Sequence, residues 1–189
     1  VTGLVTAVVL ALSPATASAA GSTASVAVTG SVHHPKRLSV AELNAMPQRS
    51  KEVAFGIGAQ RVNHTFRGAL LYDVLTGAGP AVDPKVKSDL RRFVITVVGA
   101  DGYAAALAWG EIDPALENKT VLLATAEDGQ PLDRPELVVP YDTQGGRYVT
   151  AVVRVDLSRP DLRNPSRQRK GPKSRHGAHG PHPAPSGKR

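Results

Sequence analysis

Two Asp-Gly dipeptides, at 101–102 and 128–129, each stand between short runs of apolar residues. Asp-Gly supplies the left-handed positions of a tight hairpin turn, so RRFVITVVG is expected to fold back on YAAALAW, and TVLLATA on ELVVP. A chain committed to two such hairpins must build antiparallel sheet. Its other segments agree: Val26, Val28, Gly30 and Val32 alternate with small polar residues, and Val53, Phe55 and Ile57 alternate with Arg61 to His64 as a pairing segment. The stretch VVPYDTQGGRYVTAVVRV, 138–155, reads as a strand ending at Pro140, a loop with two glycines, and a closing strand from Arg147. Helices are few and short. Ser39 with Glu42 three residues on forms a capping box for LSVAELNAM, and Leu70, Leu71, Val74 and Leu75 give ALLYDVLTGAG helical spacing. Glu111 and Asp113 after Trp109-Gly110 read as a further helix start, where acids complement the dipole. The predicted class is α+β, mostly antiparallel strands with two or more short helices.

The two ends differ from this middle. Residues 1–19 contain an apolar run from Gly3 to Leu12, a proline break and Ala17-Ser18-Ala19, the pattern of a secretory signal peptide; an uncleaved anchor is the alternative. The run is shorter than the roughly 20 residues a bilayer requires, so no transmembrane span is expected in the mature chain. From 158 to 189 nine Lys or Arg face a single acid, a net of +8, whereas the rest carries 14 basic and 15 acidic residues. The basic pI thus belongs to the tail, which is rich in Pro, Gly and Ser and is expected to be disordered. Its charge suits attachment to an anionic cell-envelope surface or serves solubility alone. It has no aromatic residue for base stacking, so specific nucleic-acid binding is not expected. The ordered domain is placed at 20–157, and the protein is expected to be exported.

There is no cysteine. No thiolate is therefore available as nucleophile, redox partner or metal ligand, and the domain must hold by packing alone.

The order of landmarks carries more than any one of them. Gly30, Val32, Pro35 and Leu38-Ser39 are followed by Met46-Pro47, Phe66-Arg67-Gly68-Ala69-Leu70-Leu71 and Asp101-Gly102-Tyr103. Then come Glu127-Asp128-Gly129-Gln130-Pro131-Leu132, Leu137-Val138-Val139-Pro140, Gly146-Arg147 and Val152-Val153-Arg154-Val155. This series, across 26–157, resembles the molybdopterin-binding domain of the sulfite oxidase family. The resemblance implies that family's strand-rich α+β fold and a molybdenum atom held by a pterin dithiolene and a protein thiolate, transferring oxygen to or from sulfur. Counting back from Gly68, the family cysteine falls at or next to Gly56. The resemblance also places Arg147 at a phosphate-gripping position, with Thr150 at the second basic position and Glu136 where an arginine is usual.

Arg147, Gly146 and Gly145 are accordingly the leading candidates for holding a pterin or other small anion, through the arginine's bidentate fork. His64 and Arg67, near the same expected pocket, are further cofactor-binding candidates; a lone histidine at a strand end, as His64 is read here, is more usually a surface or satisfied residue. No metal ligand set and no catalytic residue is assigned. Tyr103 is expected in the core. Three functional classes stay open: a molybdopterin-binding oxidoreductase-like domain without standard molybdenum catalysis, an oxygen-transfer oxidoreductase with a cysteine-free metal site, and an envelope module attached by its tail.

Overall fold

The computed structural model describes residues 24–160; the leader reading and nearly all of the basic tail lie outside them. Nine strands form two sheets. The first has the order β2-β1-β9-β5-β6, from β1 (Ser25–Gly30), β2 (Lys36–Ser39), β5 (Val94–Gly99), β6 (Ala104–Ala108) and β9 (Val152–Ser158). The second has the order β3-β4-β7-β8, from β3 (Gln48–Ile57), β4 (Gln60–Leu70), β7 (Leu122–Glu127) and β8 (Gln130–Val138). All pairings are antiparallel except that of β1 with β9.

The alternation that marked the strands is the one that fills the core. Val26 and Val28 of β1, Ile95 and Val97 of β5, and Val155 and Leu157 of β9 are buried in one cluster with Phe66, Leu122, Leu123 and Leu137 of the other sheet. Both expected hairpins form. Asp128 and Gly129 take φ of +48° and +80°, the left-handed pair that the β7–β8 turn requires, and Gly102 takes +85° between β5 and β6.

The helices are shorter than the sequence suggests: α1 (Val40–Ala45), α2 (Leu71–Thr76) and α3 (Trp109–Ile112). The capping box of α1 is present, with the Glu42 N–H donating to Ser39 Oγ (3.2 Å) and the Ser39 N–H to Glu42 Oε2 (2.8 Å). Asp113 ends α3 rather than opening a helix, accepting the Trp109 indole N–H at 3.0 Å. The closing strand also differs. Gly145–Arg147 is a 3-10 turn, and β9 starts only at Val152, because Ala151 turns the chain at φ +48°.

The described chain does not stop with β9. Arg159 lies over the Phe93 ring and donates to the buried Asp89 (2.6 Å), which also accepts the Asp83 N–H (2.7 Å) and Arg92 Nε (2.9 Å). The first residues after 157 are thus tied to the domain. No helix among the described residues is long and apolar enough to cross a membrane.

Candidate functional site

The site is built where the loop 140–150 folds over the β3–β4 hairpin. Several bonds hold it there: the Gly56 N–H donates to the Thr143 carbonyl (2.9 Å), Leu137 and Val149 exchange backbone bonds, and the Tyr103 hydroxyl donates to the Gly146 carbonyl (2.5 Å). Tyr103 is therefore not a core residue; it is about half exposed and acts as a strut under the loop. The loop's ends carry non-glycine residues in the left-handed region, Tyr141 (φ +75°) and Ala151 (φ +48°), an arrangement that persists only where surrounding bonds enforce it.

Between loop and sheet lies a cavity of about 630 Å³. Its apolar walls are aromatic. Phe55 stacks on Tyr148 with ring centroids 4.3 Å apart, and the rings of His64 and Phe66 stand at 6.1 Å and 6.3 Å from Phe55 and Tyr148 respectively. Gly145 permits this closeness, since a Cβ there would lie 3.0 Å from the Phe55 ring.

The polar lining is acidic. Glu127 and Glu136 both face the cavity, together with His64, Gln144 and Thr150, and no lysine or arginine is among the lining residues. His64 Nδ1 lies 2.8 Å from Asp128 Oδ2 and 3.0 Å from Glu127 Oε1, while the Thr65 N–H donates to Asp128 Oδ1 at 2.7 Å. The Thr65 bond, then His64, holds the Asp128 carboxyl below its ordinary value. Glu136 has the opposite fate. Burial first, and the neighbouring Glu127 second, push its pKa up to about 7 against the pull of His64. Burial likewise raises the Tyr148 phenol to about 12, with Asp142 and Glu136 adding to it, so the ring stays neutral.

Of the residues singled out in the sequence, the fold brings Gly145, Gly146 and His64 to this cavity. His64 is not at a strand end but within β4, paired with Val53. Arg67, also on β4, is exposed on the face opposite Phe66 and lies outside the lining. Arg147 is turned away from it. Its Nε and Nη2 donate to the two oxygens of Asp142 (2.8 and 2.7 Å), and its Nη1 donates to Glu111 (2.9 Å), which also accepts from Lys119 (2.9 Å). Burial would raise the Glu111 carboxyl, but Lys119 and Arg147 outweigh it and lower it. The fork expected to grip an anion is thus filled by the chain's own carboxylates. Sequence reasoning marked Glu111 only as a helix-start acid and passed over Asp142, Gln144 and Tyr148.

The position next to Gly56 is also filled. A Cβ built on Gly56 would lie 2.5 Å from Oε1 and 2.7 Å from Nε2 of Gln144, so the Gln144 amide occupies the space a side chain at 56 would enter.

The family model described as the oxidoreductase molybdopterin binding domain matches residues 14–136. The chain belongs to this family. The match ends before the loop 140–150, and no curated protein matches the chain. Among solved structures, the sulfane dehydrogenase SoxCD from Paracoccus pantotrophus is similar, with a TM-score of 0.58 and 20% identity. The similarity covers 72% of this chain and only 38% of that one, and at this identity it shows the fold alone. Members of the family bind molybdopterin, and this member's residues do not fit the thiolate-ligated metal form of that group. It has no cysteine, an amide over Gly56, a committed Arg147, and a cavity lined by two carboxylates with no lysine or arginine to meet an anionic group.

Proposed function

We propose that this molybdopterin-binding-family domain is exported and works as a small-ligand binder, with no thiolate-ligated molybdenum chemistry. The observation that carries this reading is the aromatic cavity itself. It lies under the loop 140–150 beside Gly56, yet the Gln144 amide stands where a metal-ligating side chain would reach. Ring-sized volume, stacked walls and a few convergent polar groups are what small-molecule sites share. Pterin, the ligand class that membership suggests, is a flat heterocycle of the kind such walls accept. The +8 charge of 158–189 extends the reading to attachment at an anionic envelope surface.

The test is elemental analysis for molybdenum, with oxidative release of fluorescent pterin, on natively exported full-length protein. The expected result is no stoichiometric molybdenum. One molybdenum per chain would overturn the reading. Deleting 158–189 is expected to reduce envelope retention; unchanged retention would remove the attachment role and leave the binding role in place.

A further inference from the structure

We propose that the cavity selects a flat ligand presenting a cationic, hydrogen-bond-donating edge, an amidinium or a protonated amino-heterocycle, and rejects phosphates and other anions. This inference rests on the reading of the cavity as a ligand site and names the ligand's charge and edge chemistry. It departs from the anion expected from the sequence.

Three features of the cavity converge. The first is its charge. Glu127 and Glu136 line it without any lysine or arginine, and the arginine of the covering loop is bound on the other side by Asp142 and Glu111. An anion entering here would meet carboxylates in a partly desolvated space, where like charges repel strongly. The second is an unused acceptor. The Glu136 carboxyl takes part in no hydrogen bond or ion pair with another described residue, whereas the Glu127 carboxyl has His64 at 3.0 Å. A half-buried carboxylate without a donor is an open acceptor, and two parallel N–H groups of a planar amidinium satisfy both its oxygens at once. The third is shape. The Phe55–Tyr148 stack and the His64 ring line the cavity, and a planar cation packed against such a wall gains aromatic and cation–π attraction.

The pH dependence has a definite sign. The titratable groups facing Glu136 are Glu127 and His64, with the Tyr148 phenol neutral. As pH rises through about 7 Glu136 gives up its proton, so amidinium binding should strengthen.

The experiment is a heteronuclear NMR titration of the full chain at pH 7.5 with three probes that share one ring: benzamidine (cation), benzamide (neutral) and benzoate (anion). Benzamidine is expected to shift the amides of Phe55, Glu136 and Tyr148, with a Kd at least about tenfold below that of benzoate. Glu136→Gln is expected to weaken it about tenfold, and Glu127→Gln by less; each variant's own spectrum reports whether it is folded. Benzoate binding as well as benzamidine overturns the charge selection and leaves the cavity as a ligand site. Benzamidine binding untouched by either substitution overturns the role of the carboxylates. No shift at cavity residues with any probe overturns both this inference and the binding function.

Discussion

The two sides of the loop 140–150 settle their charges in opposite ways. On the outer side Arg147 lies between Asp142 and Glu111, and Glu111 is shared with Lys119, so each charge has a partner within hydrogen-bond distance. On the inner side Glu136 has no donor and is pushed up to about 7 by burial and by Glu127. Satisfied networks hold structure, whereas a half-buried acid with a raised pKa and no donor, set in a cavity, is open to a ligand. An arginine is therefore no guide to an anion site until its partners are known, and here the informative group is a carboxylate.

That contrast can be broken from either side. Arg147→Ala should have the largest effect on stability, about 1–3 kcal/mol by denaturant unfolding, since it leaves Asp142 without its cation and Glu111 with Lys119 alone. The figure is set below that of a fully buried pair because the Arg147 side chain is 30% exposed. Benzamidine affinity should stay unchanged in that variant, and a large loss would join the two sides functionally. Glu136→Gln should act in the other direction. Because its pKa is higher in the folded chain than in the unfolded one, the wild type loses stability as pH climbs from about 4.5 to 7, by up to about 1.4 kcal/mol for every tenfold difference in proton affinity between the two states. The variant should match the wild type near pH 4 and exceed it at pH 8 in thermal unfolding. Tyr103→Phe should have the smallest effect, roughly 0.5–1 kcal/mol, by removing the bond to the Gly146 carbonyl and loosening the loop, with faster amide exchange at Gly146.

The hairpins are legible in the sequence because the turn at Asp128-Gly129 needs two left-handed residues, and few pairs provide them. The α1 capping box is legible for a similar reason: its two bonds join residues three apart. The start of the closing strand is not, since Arg147 to Ala151 is apolar enough to read as strand while the bend at Ala151 is enforced by tertiary contacts. The commitment of Arg147 is equally hidden, because Glu111 is 36 positions away and only the fold brings it near. The cavity's acidity does leave a signal, Glu136 standing where the family resemblance suggests an arginine. The unpartnered state that gives this substitution its meaning depends on burial, which sequence periodicity does not report.

The most direct measurement is the carboxyl resonance of Glu136 followed by carbon-13 NMR against pH, with and without benzamidine. The expected midpoint is near 7 in the free protein and at least about one pH unit lower in the complex. A free-protein midpoint in the ordinary glutamate range, unmoved by benzamidine, would contradict it.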